Sequence, residues 1–293
     1  MPFPHINPVM LQLGPVPIRW YGVAYAAGMI LGWRYCVMLV RNAKLWRKAQ
    51  PSTAVLQVDN LMLWLFLGVL VGGRLGYVLI YGRGEFFARP WEIFEVWQGG
   101  MSFHGGFVGV AIALALFARA NHLDLLRLGD LIAPCAPRGL FFGRLANFIN
   151  GELWGRPTQL PWGVVFPNAP DVPPVPRHPS QLYEAGLEGI ALFLLLRLAT
   201  HGLRWLPKRG ANTGLFMLAY GAFRIGLENV RNPDLNMPHF PFGLTMGMML
   251  SAPMVLVGIG LTAWALRPGD VSPDNPAALA SATPVAVEPT QLR

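Results

Sequence analysis

Between Gly143 and Gly155 the chain reads Gly-Arg-Leu-Ala-Asn-Phe-Ile-Asn-Gly-Glu-Leu-Trp-Gly, which sets Arg144, Asn147, Asn150 and Glu152 at one end of an otherwise apolar stretch. A second arginine with an acidic neighbour, Arg224 with Glu228, lies near the end of another apolar stretch, and His104 opens a third. Guanidinium groups donate hydrogen bonds in a fork that matches phosphate oxygens. Paired arginines with asparagines and a histidine therefore point to recognition of phosphate. Such groups are costly in lipid, about 2.5–3.5 kcal/mol for an arginine at a helix centre, so a chain that keeps them uses them.

The elements that must hold these residues follow from composition. Of 293 residues 53% are hydrophobic and only 13% charged, with a mean hydropathy of +0.40. That excludes an ordinary soluble domain and a disordered chain. Seven apolar stretches, near 18–40, 58–82, 103–120, 128–150, 181–200, 212–230 and 243–266, have about the length a bilayer crossing needs. The pattern predicts an all-α polytopic membrane protein with seven transmembrane helices. The fourth stretch is the least hydrophobic and carries Pro134 and Pro137, so it is expected to be irregular. No basic leader with a short apolar core precedes the first stretch, so no cleaved signal peptide is expected.

Lysine and arginine beside the spans set the orientation. One set of loops holds Arg41, Lys44, Arg47, Lys48, Arg119, Arg127, Arg197, Arg204, Lys208, Arg209 and Arg267; the other holds only Arg83, Arg89, Arg156, Arg177 and Arg231. This asymmetry predicts an N-terminus outside, which in a bacterium is the periplasm, and a cytoplasmic C-terminus. The net charge of +8 is then mainly a topology and anionic-lipid signal. No basic face with groove-reading elements points to nucleic acid. Cys36 and Cys135 fall inside spans and read as small apolar fillers, with neither a disulfide framework nor zinc spacing.

Residues 1–267 read as one transmembrane domain without internal repeats, and 268–293, rich in Pro, Ala and Ser, as a disordered cytoplasmic tail. The external segment 151–180 contains eight prolines. It is expected to be extended or turn-rich with few hydrogen bonds of its own, serving either as a cap over the outer mouth or as a plain connector. Residues 83–100, with Glu85, Glu92, Glu95, Trp91 and Trp97, read as an interfacial amphipathic segment.

Depth along the spans gathers the polar residues. Tyr21 sits just inside the outer end of the first span and Arg74 about 12 Å below that of the second. His104 opens the third span, Arg144 lies about 9 Å below the outer end of the fourth, and Arg224 and Glu228 approach the outer end of the sixth. Five helices thus aim ionisable groups at one outer layer. Arg144 and Asn147 share a helix face; Asn150 lies on its flank, and Glu152 joins only if the helix unwinds there. Arg224 and Glu228 are i,i+4 and can pair, either as part of a site or simply to neutralise each other in lipid. Glu184 and Glu188, also i,i+4, are potential partners for the arginines, and Arg138 is a candidate tie between the irregular span and its neighbours. Gly72 and Gly76, and Gly105 and Gly109, form small-xxx-small patterns that suit close helix packing. His178 could line the inner surface of the external loop.

The chain has no HExxH, no Gly-x-Ser-x-Gly, no P-loop and no acidic metal cluster. The phosphate abundant in an outer leaflet is a phospholipid headgroup. From chemistry alone, the expectation is a phospholipid-handling membrane protein.

The motifs also carry a resemblance. The run Gly143–Gly155 fits Gly-Arg-x-x-Asn-Phe-x-Asn-x-Glu-x-x-Gly, backed in order by Trp20-Tyr21-Gly22, Gly72-Gly73-Arg74-Leu75-Gly76-Tyr77, and Gly99 through Gly106. Arg177-His178-Pro179-Ser180-Gln181-Leu182-Tyr183-Glu184 and Tyr220-Gly221-Ala222-Phe223-Arg224 with Glu228 continue it, so that about residues 5–266 are covered. In these the chain resembles the prolipoprotein diacylglyceryl transferase family. The resemblance implies an enzyme of the bacterial inner membrane acting on its outer side. That enzyme moves the sn-1,2-diacylglyceryl group of phosphatidylglycerol to the lipobox cysteine of a preprolipoprotein peptide, with no metal or organic cofactor. On that reading His104 is the first candidate for general base, with Tyr21 as alternative or helper, and Arg144 and Arg224 bind the phosphate. Asn147, Asn150 and Glu152 orient the headgroup or the arginines, Glu228 orients Arg224, and Arg74 shapes the cavity. The rival expectation is a phospholipid transporter or flippase using the same arginines as a headgroup relay.

Overall fold

Each of the seven apolar stretches carries a helix in the computed structural model. It describes residues 1–4, 6–14, 16–46, 51–80, 86, 89–95, 100–232 and 243–267; the side chains of residues 16, 80, 103 and 104 lie outside it. The expected tail, Glu85 and Trp97 of the interfacial segment, and Arg47, Lys48 and Arg83 of the charge asymmetry lie outside the described residues.

Helix α1 (Trp20–Arg41) leads through the short α2 (Ala43–Trp46) to α3 (Val55–Ile80) and α4 (Phe103–Ala120). The fourth stretch is split, as its prolines predict, into α5 (Leu125–Ile132) and α6 (Ala136–Ile149), joined by the turn 133–135. Helix α7 is continuous but changes pitch: Ser180–Glu184, a π-helical stretch Ala185–Ala191, Leu192–Arg197, and a second π-helical stretch Leu198–Gly202. Helices α8 (Ala211–Leu227) and α9 (Met246–Ala265) complete the bundle. Among the described residues three helices, α1, α3 over Val55–Leu79 and α9, are long and apolar enough to cross a membrane, and Gly105–Ala120 of α4 is a shorter apolar helix.

The all-α expectation needs one correction. Strands β1 (Val9–Leu13) and β2 (Val16–Arg19) form an antiparallel hairpin before α1, with Leu13 opposite Val16. Gly14, at φ 57°, supplies the left-handed residue the tight turn requires.

Helices α3 and α4 meet through glycines, where the small-xxx-small spacing places them. A Cβ at Gly72 would collide with the Gly105 carbonyl and the Gly109 Cα, and one at Gly105 with the Gly72 carbonyl. Ser102 caps α4, its hydroxyl accepting from the Gly105 amide at 3.2 Å. Because His104 lies between cap and contact, Gly105→Val is expected to displace the first turn of α4. A destabilisation of about 1–3 kcal/mol is expected from overpacking, read as a lower unfolding midpoint in detergent.

Asp130 of α5 is fully buried and ties α5 to the start of α8. Its carboxylate accepts from the Gly210 amide, the Thr213 amide at 2.8 Å and the Thr213 hydroxyl at 2.9 Å. Helix α8 has no side-chain cap of its own, so Asp130 supplies from a distance the acceptor its exposed amides need. Asp130→Ala is expected to cost about 1–3 kcal/mol, because it orphans buried donors; an unchanged melting midpoint would contradict this role.

Arg138 is a tie of another kind. Its guanidinium lies 3.7 Å from the Tyr35 ring centroid and 4.2 Å from that of Phe193, joining α6 to α1 and α7, and it donates to the Pro134 carbonyl at 3.1 Å. The proline-broken helix is thus pinned by stacking on two aromatic faces.

Candidate active site

The signature helix α6 ends where its sequence demands. Asn150 is its C-cap, and Gly151 takes φ 63°, a left-handed turn that reverses the chain. The reversal brings Glu152 back to accept from the Asn147 amide at 2.8 Å, so the helix unwinds as the joining of Glu152 required. Leu153 follows at φ 57°, unusual for a residue with a branched side chain. The buried Gln181 and Ser180 hold the turn from α7: Gln181 donates to the Glu152 carbonyl and the Ser180 hydroxyl to that of Leu153 at 3.0 Å. Tyr21 on α1 lies 3.4 Å from the Tyr25 hydroxyl, with the Asn147 and Glu152 side chains in its surroundings.

One turn before Asn147, Arg144 reaches two carboxylates on α7. Its Nε lies 2.8 Å from Glu184 Oε2 and its Nη2 3.0 Å from Glu188 Oε2; the two carboxylates are 1% and 0% exposed. Glu184 is shared: its Oε1 accepts from Arg231 Nη1 at 2.7 Å. Arg231 Nε in turn lies 3.4 Å from Glu228 Oε1, and that oxygen meets Arg224 Nη2 at 2.8 Å. Arg144, Arg231 and Arg224 thus alternate with Glu188, Glu184 and Glu228 in one buried network linking α6, α7 and the end of α8. The pitch change in α7 falls on Ala185–Ala191, so Glu188 projects from a π-helical turn. Three atoms in the network lack hydrogen-bond partners among the described residues: Arg224 Nη1, Glu188 Oε1, and Glu184 Oε2, whose contact with Arg144 is an ion pair. A buried guanidinium nitrogen without an acceptor is a position at which a phosphate oxygen would be stabilised.

The expected residues therefore separate into groups. Tyr21, Asn147 and Glu152 gather at the turn, with Asn150 capping the helix, and Arg144, Arg224 and Glu228 meet in the network. Arg74 is placed elsewhere: it wraps a loop, donating to the Ile93 carbonyl at 2.8 Å, the Gly100 carbonyl at 3.1 Å and the Glu92 carbonyl. The backbone of His104 lies in the first turn of α4, and its side chain lies outside the described residues. Arg231, which carried only a topology signal in the sequence, is a member of the network. Its spacing from Glu228 (i,i+3) and Arg224 (i,i+7) was the available clue.

Two expectations are corrected. The segment 151–180 has ordered pairings of its own: Val164 and Arg177 exchange backbone hydrogen bonds at 2.9 and 2.8 Å, and Gly155 donates to the His178 carbonyl at 2.9 Å. Its organiser is Arg177, which grips Asp171 with Nε and Nη2 at 2.6 and 2.7 Å and the Gly155 carbonyl with Nη1 at 2.9 Å. His178 lies 3.3 Å from the Tyr183 hydroxyl, which also accepts from Trp162 at 2.7 Å. Phe3 packs on this loop and on the signature helix, 5.5 Å from the rings of both Phe166 and Phe148. Second, ionisable groups are not confined to one end of the spans: Arg34 lies within α1, and Asp130 and Arg138 lie within the fourth stretch.

The hydrogen bonds from Arg177 hold the Asp171 carboxyl below the usual carboxylate range. A depressed native pKa stabilises the loop above the ordinary carboxylate pKa, and the contribution is lost as pH falls through the lower native value. Loop protection, read as resistance to proteolysis at 151–180, is expected to decline on acidification below about pH 4, and less so in Asp171→Asn, which lacks the titrating group.

A helical membrane protein with a buried arginine–glutamate network at one end of its bundle is the class these features define. The family model for prolipoprotein diacylglyceryl transferase matches residues 8–264. A Caulobacter sp. (strain K31) relative is 56% identical over 281 residues, spanning 91% of this chain and 93% of its own. Relatives from Phenylobacterium zucineum (56% over 269 residues, 89% and 93% covered) and Methylocella silvestris (49% over 266 residues, 90% and 96%) are similarly close in length. All three are named phosphatidylglycerol–prolipoprotein diacylglyceryl transferase. The chain belongs to the prolipoprotein diacylglyceryl transferase family.

Proposed function

We propose that this chain transfers the sn-1,2-diacylglyceryl group of phosphatidylglycerol to the lipobox cysteine thiol of preprolipoproteins. The sulfur attacks the glyceryl carbon that bears the phosphate, a C–S thioether bond forms, and the C–O bond breaks. Glycerol phosphate leaves with the electron pair, and the thiol proton passes to a base. A free thiol has a pKa near about 8.5, so at neutral pH the step needs a base or a strongly positive site. His104 at the start of α4 takes the proton, or Tyr21 does, with the other assisting. Arg144 and Arg224 hold the phosphate and stabilise the charge it gains on leaving. Asn147, Asn150 and Glu152 orient the glycerol headgroup or the arginines, Glu228 aims Arg224, and Arg74 holds Glu92, Ile93 and Gly100 beside α3 and so shapes the cavity.

The observation that carries this reading is the buried network in which Arg224 Nη1 lacks an acceptor among the described residues. The same reading puts seven spans in the bacterial inner membrane, with the N-terminus and the network on the periplasmic side and the C-terminus in the cytoplasm. Residues 1–267 form the catalytic domain, 151–180 its external cap, and 268–293 a cytoplasmic tail. Family membership disfavours the transporter reading. The test uses purified chain in detergent with phosphatidylglycerol and a lipobox peptide. The peptide is expected to gain the mass of one diacylglyceryl group on cysteine; an unmodified peptide, with phosphatidylglycerol still bound, would favour transport instead.

A further inference from the structure

A second polar site lies at the opposite end of α1 from the network. Arg34, Met38 and Arg41 follow one face of α1 at the i, i+4, i+7 spacing, and they line a cleft of about 790 Å³ with Trp33, Asn42 and, across from them on α3, Asp59. That volume is within the roughly 300–1,000 Å³ of small-ligand sites. Arg34 is about 10 Å along the helix axis from Arg41, inside the apolar stretch, where an exposed guanidinium is costly unless paired or hydrated. Neither arginine has a carboxylate within ion-pair distance among the described residues. Asp59 is engaged instead by the Trp33 indole, which donates to its Oδ1 at 2.6 Å.

We infer that this cleft binds the headgroup of one anionic phospholipid from the cytoplasmic leaflet, its phosphodiester held by Arg34 and Arg41 and a headgroup hydroxyl donating to Asp59. Two guanidiniums against one carboxylate leave a single positive charge, which one phosphodiester neutralises. A zwitterionic lipid brings no net charge and would leave that excess in place. Arg41 and Asn42, at the end of α1, lie at the interfacial depth at which such a headgroup sits. The leaflet rests on the orientation proposed above; the ligand chemistry does not. The site is separate from the catalytic network and gives the enzyme a bound lipid that it does not consume.

The test counts retained lipids by native mass spectrometry of the full-length chain, using micelles that contain phosphatidylglycerol or phosphatidylethanolamine. Wild type is expected to keep one phosphatidylglycerol more than Arg34→Gln/Arg41→Gln, while transfer at saturating phosphatidylglycerol is the same in both. Should the glutamine variant not accumulate, Arg34→Lys/Arg41→Lys keeps the charge but loses the forked donors, and weaker retention by about tenfold per lost contact is expected. An unchanged lipid count in the variants would overturn the site. So would retention of phosphatidylethanolamine equal to that of phosphatidylglycerol, the mark of generic annular contact. Displacement of the extra lipid by free glycerol 3-phosphate would overturn the lipid assignment in favour of a soluble phosphate ester. Labelling of Lys44→Cys in intact cells by an impermeant maleimide would overturn the leaflet and the topology, independently of the lipid count.

Discussion

Arg144→Ala is expected to reduce transfer by about 10²–10³-fold or more, the loss associated with removing one donor that stabilises developing negative charge. The structure adds a second consequence. Glu184 and Glu188 are buried against Arg144, so its removal strands the Glu188 carboxylate and leaves Glu184 with Arg231 alone, and breaking a buried pair in this way costs about 3–5 kcal/mol. Arg144→Lys separates the two effects. It keeps a charge near the carboxylates but loses the fork, so stability is expected to recover substantially while transfer stays low. Near-normal transfer in Arg144→Lys would show that a point charge suffices and that the planar geometry is not used.

His104→Gln is expected to lower transfer by about 10²–10⁴-fold, the usual contribution of a general base, while phosphatidylglycerol binding survives. The residual rate of that variant should climb with pH towards the thiol's own pKa of about 8.5, because solvent then supplies the thiolate the histidine no longer generates. Unchanged activity in His104→Gln removes His104 from the mechanism and moves the proton to Tyr21. Loss of lipid binding together with activity would instead make the histidine a headgroup ligand.

Much of this architecture is legible in the sequence because local chemistry fixes it. The apolar stretches give the helices, Pro134 and Pro137 give the break before Ala136, and the glycine spacing gives the α3–α4 contact. The i,i+4 pair Arg224–Glu228 forms at 2.8 Å, and Glu184 and Glu188 pair with Arg144 as their spacing allowed. What escapes is set by contacts between distant segments. Arg231 links the local Glu228–Arg224 pair to the rest of the network because α7 brings Glu184 beside it, 47 residues away in sequence. The order of 151–180 depends on Arg177, whose role is invisible among eight prolines. Deep charge also reads differently once packed: Asp130 serves as a cap and Arg138 is clasped by Tyr35 and Phe193. Both are fully engaged in holding helices together, so they do not form the depth-spanning relay a flippase would need.

The proposed mechanism has sulfur displace phosphate from the glyceryl carbon in one enzyme site built around Arg144 and Arg224. It is tested most directly by counting glycerol phosphate released against thioether formed, with purified chain, phosphatidylglycerol and lipobox peptide. One glycerol phosphate is expected for each thioether, and none when the peptide cysteine is replaced by serine. Release of glycerol phosphate without peptide, or thioether without stoichiometric glycerol phosphate, would contradict it.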